Sequence, residues 1–147
     1  MVPGKIVAMV RYKSKIGWIL VVVILLLLLA PIFQLLKNPV SIGPIYLLLP
    51  ALFIGYIFVS TYYEIGNGVL RVKSGFLLNR SILISSITKI EATKNPISAP
   101  ATSFDRLEVF YNKFESVIIS PKEKRAFIAH LKQLNPKIQD NTGLNQL

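Results

Sequence analysis

Tyr63-Glu64-Ile65-Gly66-Asn67-Gly68-Val69-Leu70-Arg71-Val72-Lys73 is the stretch on which the fold turns. Asn-Gly is the dipeptide best suited to a two-residue hairpin, because both central residues accept a positive φ. Leu70 and Val72 alternate with Arg71 and Lys73, the period of two that marks a half-buried strand. An antiparallel hairpin is predicted here.

Towards the C-terminus the same pattern continues. Gly75 ends the second strand, and Asn79 to Ile84 and Ile87 to Thr93 read as two more, joined near Ser85-Ser86. Leu107, Val109 and Tyr111 alternate with Arg106, Glu108 and Phe110; after an Asn112-Lys113 turn, Phe114 to Ile119 returns. Ser120-Pro121-Lys122-Glu123 then carries a helix-start signature: a capping Ser, a Pro at the first helical position, and a Glu three residues after the cap. Phe127, Ile128, Leu131 and Leu134 form one apolar stripe, and Asn135-Pro136 stops the helix. The expectation is a small α+β domain over 62–136, an antiparallel barrel or sandwich of about six to seven strands capped by a C-terminal helix. Residues 137–147 read as a flexible tail, and the domain is expected to fold alone from Tyr62.

On the N-terminal side the pattern changes to continuous apolar sequence. Residues 16–36 and 42–61 contain no Asp, Glu, Lys, Arg or His and are separated by the short loop 37–41, Lys37-Asn38-Pro39-Val40-Ser41. Each run is long enough as a helix to cross the roughly 30 Å hydrocarbon core of a bilayer. The first is too long for a signal-peptide core and lacks an Ala-x-Ala site at its end. Pro44, Pro50, Gly43 and Gly55 interrupt the second and predict a kink. Lys5, Arg11, Lys13 and Lys15 in the basic segment 1–15, and Arg71, Lys73 and Arg80 after the second run, outweigh Lys37 between the runs. The positive-inside rule therefore places both termini in the cytoplasm and the loop outside, with Trp18 and Tyr62-Tyr63 at the inner interface.

The formal net charge is +10 over 147 residues, and all seven acidic side chains follow Thr61, among twelve Lys or Arg. A moderately basic domain of this kind suits a position beside an anionic leaflet. No clustered basic and aromatic motif points to nucleic acid, so none is expected as a partner. The chain contains no cysteine, and His130 is its only histidine, at the border of the helix stripe, so no metal, cofactor or catalytic residue is expected. Gly66-Asn67-Gly68 lacks the following helix and Lys-Ser/Thr of a phosphate loop. A Ser103, His130 and Asp105 triad is conceivable only on paper, since no nucleophile-elbow pattern accompanies it.

The order Asn-Pro, Ser-x-Pro, Asp-Arg-Leu in NPISAPATSFDRLEVFY (95–111), followed by Ile-Ser-Pro-Lys opening ISPKEKRAFIAHL (119–131), resembles the bacterial PH-like domain family often labelled YyaB-like. The resemblance spans about Tyr62 to Asn135 and implies a barrel plugged at one end by the helix, commonly preceded by a membrane hairpin. It implies no activity and brings no catalytic residue. Two candidate interaction sites remain. One is the loop with Asn95, Pro96, Ser98 and Pro100, ended by Asp105 and Arg106, where two prolines stiffen an exposed segment. The other is the helix face with Lys122, Arg125 and Lys132, opposite the apolar stripe, as a contact for anionic lipid headgroups. The expected molecule is a non-enzymatic binding or scaffolding module, integral to a bacterial inner membrane through two helices, with an unidentified protein partner. An accessory subunit of a larger membrane assembly is the alternative, and a membrane-bound hydrolase the distant third.

Overall fold

The computed structural model describes residues 8–40, 42–95 and 105–144. Strand β1 (Val10–Lys13) comes first, followed by helices α1 (Trp18–Lys37) and α2 (Ile45–Val59). Then come β2 (Thr61–Gly66), β3 (Val69–Ser74), β4 (Leu78–Leu83), a 3-10 turn at Ile84–Ser86, β5 (Ile87–Thr93), β6 (Arg106–Tyr111), β7 (Glu115–Ile119), α3 (Lys124–Leu134) and β8 (Gln139–Asn141).

Among the described residues, two four-stranded sheets enclose the core. The first runs β1-β2-β3-β4, with every pair antiparallel; the second runs β7-β6-β5-β8, antiparallel except for the parallel β5–β8 pair. Asn67 (φ 53°) and Gly68 (φ 74°) make the β2–β3 turn in the left-handed conformation that Asn-Gly favours, and Asn112 (φ 54°) does the same between β6 and β7. The alternation read from sequence is realised: Leu70, Val72, Leu107 and Val109 are wholly buried, facing Tyr63, Ile65, Ile90 and Ile119 from the other strands. Phe127, Ile128 and Leu131 lay the stripe of α3 onto this core. Burying each such side chain contributes roughly 1.5–3 kcal/mol, which makes α3 a structural part of the domain.

Several sequence expectations are corrected. Segment 1–15 is not simply a basic flank, because Val10–Lys13 pairs with β2 in register Val10↔Ile65 to Lys13↔Tyr62. The tail expected from residue 137 starts with a buried Ile138, and Gln139–Asn141 joins the edge of the second sheet. Helix α3 begins after Glu123, which makes no side-chain capping bond, and Ser120 is instead a buried residue before it. Tyr63, expected at the membrane interface, is fully buried, because the strand alternation turns it inward.

Helices α1 and α2 pack on each other, and among the described residues only α1 has both the length and the apolar character to cross a bilayer. Pro44 caps α2 at its N-terminus, and Thr61, assigned from sequence to the second span, belongs to β2. The remaining 15 residues of α2 reach about 22 Å. Pro31 and Pro50 lie inside the two helices.

Candidate membrane-facing site

The apolar helices are inserted between β1 and β2. Only residues 14–17 separate β1 from α1, and Ser60 alone separates α2 from β2. Polar contacts hold both junctions. At the first, the Ser120 N–H donates to the Tyr63 hydroxyl (3.0 Å), which also hydrogen-bonds the Ser14 hydroxyl (3.1 Å). The Lys15 N–H donates to the Ser120 carbonyl (2.7 Å), and the Lys122 N–H to the Lys13 carbonyl (2.9 Å). Burial pushes the Tyr63 phenol above its ordinary pKa, so the hydroxyl stays neutral in this network. At the second junction the Thr61 hydroxyl donates to the Ile57 carbonyl (2.7 Å) and lies 2.9 Å from the Ser74 hydroxyl. The Ser60 hydroxyl reaches the Tyr56 carbonyl (2.6 Å).

Strand register then puts a charged face beside the junction. Lys13, Tyr62, Lys73 and Asn79 are cross-strand neighbours, as are Arg11, Glu64, Arg71 and Ser81, and the two rows share the outer face of the first sheet. Glu64 accepts from Arg11 (2.8 and 3.0 Å) and lies 3.8 Å from Arg71, while the Arg11 guanidinium stacks 4.2 Å from the Tyr62 ring centroid. Four cations around one carboxylate leave this face positive. None of these cations was singled out from sequence as a site, because Arg11 and Lys13 are distant in the chain from Arg71 and Lys73. The alternation of Arg71 and Lys73 with Leu70 and Val72 was the available signal.

The residues singled out from sequence are distributed along the domain. Helix α3 starts near the Ser14–Pro121 bridge and ends where the Asn135 amide donates to the carbonyls of Ile84 (2.9 Å) and Ile87 (3.3 Å). It therefore runs away from the apolar helices. Lys122 precedes α3 and lines, with Arg11, Tyr12, Lys13, Glu123 and Ala126, a groove of about 420 Å³ beside β1. Lys132 lies in the last turn of α3, about 12 Å along the helix from Lys124. Arg125 is exposed near its start. Arg125 and Lys132, seven residues apart, fall on one face of the helix two turns from each other.

Asp105 and Arg106 end the candidate interaction loop. Asp105 forms ion pairs with Lys15 (3.0 Å) and with Lys124. The hydrogen bond from Lys124, with a second from Lys15, holds its carboxyl below the ordinary range against the opposing effect of burial. Arg106 is buried and donates to the Asn95 carbonyl (2.6 Å), closing the ends of the loop. Pro96, Ser98 and Pro100 lie outside the described residues. His130 sits at the stripe's border, as read from sequence, with Nδ1 3.1 Å from the Tyr12 hydroxyl. Among the described residues, no three His, Cys, Asp or Glu side chains converge as metal ligands.

The site thus comprises an inserted helical pair, two hydrogen-bonded junctions and a cationic sheet face. No curated protein and no solved structure matches the chain. The family model described as bacterial PH domain matches residues 61–135, from the first residue of β2 to the end of α3. The chain therefore belongs to the bacterial PH domain family.

Proposed function

We propose that the protein is a membrane-anchored binding and scaffolding module at the cytoplasmic face of a bacterial inner membrane. In this reading α1 and α2 cross the bilayer as a hairpin and both termini are cytoplasmic. The observation that carries it is the insertion of the apolar helices between β1 and β2, with no free linker at either end. Such a connection holds the domain against the leaflet and raises its effective concentration towards membrane-bound partners. The face bearing Arg11, Lys13, Arg71 and Lys73 then meets anionic headgroups, each cation contributing about 1 kcal/mol near the surface. Lys122 extends that face through the shared groove, whereas Arg125, Lys132 and the loop ends Asn95 and Asp105, held by the buried Arg106, are assigned to protein recognition. No covalent chemistry is part of this reading.

Topology reporters test it directly. A reporter at Leu147 is expected to read cytoplasmic and one inserted at Asn38 external, and an external C-terminus would overturn the reading. The accessory-subunit alternative is supported by the exposure of most apolar side chains on α1 and α2, which other helices could cover as well as lipid. Exchanging both helices for an unrelated hairpin separates the two: a binding module keeps its co-purifying partners, and a subunit held through its helices loses them.

A further inference from the structure

Phe76 and Leu77 form the tip of the β3–β4 turn and are 69% and 61% exposed, unusual for large apolar side chains on a small sheet. The turn is well defined: Gly75 has φ 52°, and the Leu77 N–H donates to the Ser74 carbonyl (3.1 Å). It also leans on the apolar helices. A Cβ at Gly75 would lie 3.3 Å from the Ser60 hydroxyl and 3.7 Å from side-chain carbons of Ile57 and Tyr56. The Phe76 ring lies 5.7 Å from that of Phe53, centroid to centroid. Phe53 precedes the end of α2 at Val59 by six residues, about 9 Å of helix rise, so the turn extends alongside the helix rather than stopping at its end.

From this juxtaposition we infer that Gly75-Phe76-Leu77 is a third membrane element, a wedge whose two apolar side chains enter the acyl region of the cytoplasmic leaflet beside α2. The inference rests on the proposal that the helices span a bilayer. Its occupant is lipid hydrocarbon because the exposed tip is continuous with the apolar surface of α2. The flanking pair Lys73↔Asn79, one step back along both strands, places polar groups at headgroup level. The wedge also compensates the shortness of α2, by giving the domain an apolar contact where that helix ends.

The full-length chain, reconstituted in vesicles of phosphatidylcholine and phosphatidylglycerol with acyl chains brominated near the headgroup or near mid-chain, tests this. Trp18 is the sole tryptophan, so Trp18→Phe removes the background fluorescence. Phe76→Trp then places an indole at the tip, and Leu27→Trp in a parallel chain places one at the middle of α1. The expected result at position 76 is blue-shifted emission, quenched most by bromine near the headgroup, while position 27 is quenched most by mid-chain bromine. Quenching at 27 with none at 76 overturns the wedge and leaves the spanning helix standing. Blue-shifted but unquenched emission at 76 places the turn against protein, a second copy included, and also overturns it. Quenching at 76 with none at 27 overturns the spanning helix and, with it, a wedge that stands beside that helix. Quenching at neither position overturns both.

Discussion

Removing β1 is expected to unfold the domain, even though the matched family segment begins at residue 61. Two soluble chains make the comparison: residues 61–144 alone, and residues 8–15 joined to 61–144 by a short Gly/Ser linker. The join is geometrically mild because Lys13 and Tyr62 are cross-strand partners. Without β1 the chain loses the backbone ladder from Val10↔Ile65 to Lys13↔Tyr62, worth on the order of 2–4 kcal/mol at about 0.5–1.5 kcal/mol per hydrogen bond. It loses the edge-to-face contact of Tyr12 with Phe127 at 5.2 Å, about 0.5–1.5 kcal/mol beyond area burial, and the Tyr12–His130 hydrogen bond. It also uncovers part of the Tyr63 and Phe127 rings, both fully buried in the intact domain. The total is on the order of 5 kcal/mol, comparable with the roughly 5–15 kcal/mol stability of a whole small domain. Urea unfolding followed by far-ultraviolet circular dichroism is expected to give a cooperative transition for the joined chain. For 61–144 the midpoint should fall by about 2 M or more, or the transition should vanish, given slopes near 1–3 kcal/mol/M. Equal midpoints would refute the reasoning and return residues 10–13 to the status of a basic flank.

Three further outcomes follow for the joined soluble chain. Tyr63→Phe removes the acceptor of the Ser120 N–H and a partner of Ser14, and is expected to cost about 1–3 kcal/mol in urea unfolding without changing the spectrum of the folded form. Glu64→Gln weakens the charge-assisted contacts with Arg11 and Arg71 and makes the sheet face more positive, so stability should fall by roughly 1–2 kcal/mol while co-sedimentation with phosphatidylglycerol vesicles at low salt rises. Asp105→Asn is expected to destabilise by roughly 0.5–1 kcal/mol at pH 7, a small effect because the carboxylate is half exposed and screened by solvent. Since its folded pKa is depressed, Asp105 stabilises the fold above its ordinary value of 3.8, and this contribution disappears as pH falls through the lower folded-state value. The gap in melting temperature between wild type and Asp105→Asn should therefore close in acid, and a gap that persists there would show the side chain acting by packing.

The boundary between what sequence dictates and what tertiary structure decides follows the range of the interactions. Asn67-Gly68, the alternation through β3 and β6, and the Phe127-Ile128-Leu131 stripe are local, so strands, turns and helix were legible from residues a few positions apart. The apolar runs were equally plain, because hydrocarbon-length segments need no partner to be recognised. Strand β1 was not legible: four residues alternating Val10 and Tyr12 with Arg11 and Lys13 carry too little periodicity, and their partner strand is some 50 positions away. Strand β8 failed for the same reason, its polar Gln139-Asp140-Asn141 being held by backbone pairing with β5. Ser120-Pro121 satisfied every local rule for starting a helix, yet Tyr63 and Ser14 compete for it from across the fold and the helix begins later. The candidate site divides likewise. The Lys and Arg residues are written in the sequence, but only the register of β1, β2 and β3 gathers Arg11, Lys13, Arg71 and Lys73 onto one face, because cross-strand neighbours are chosen by backbone pairing and not by proximity along the chain.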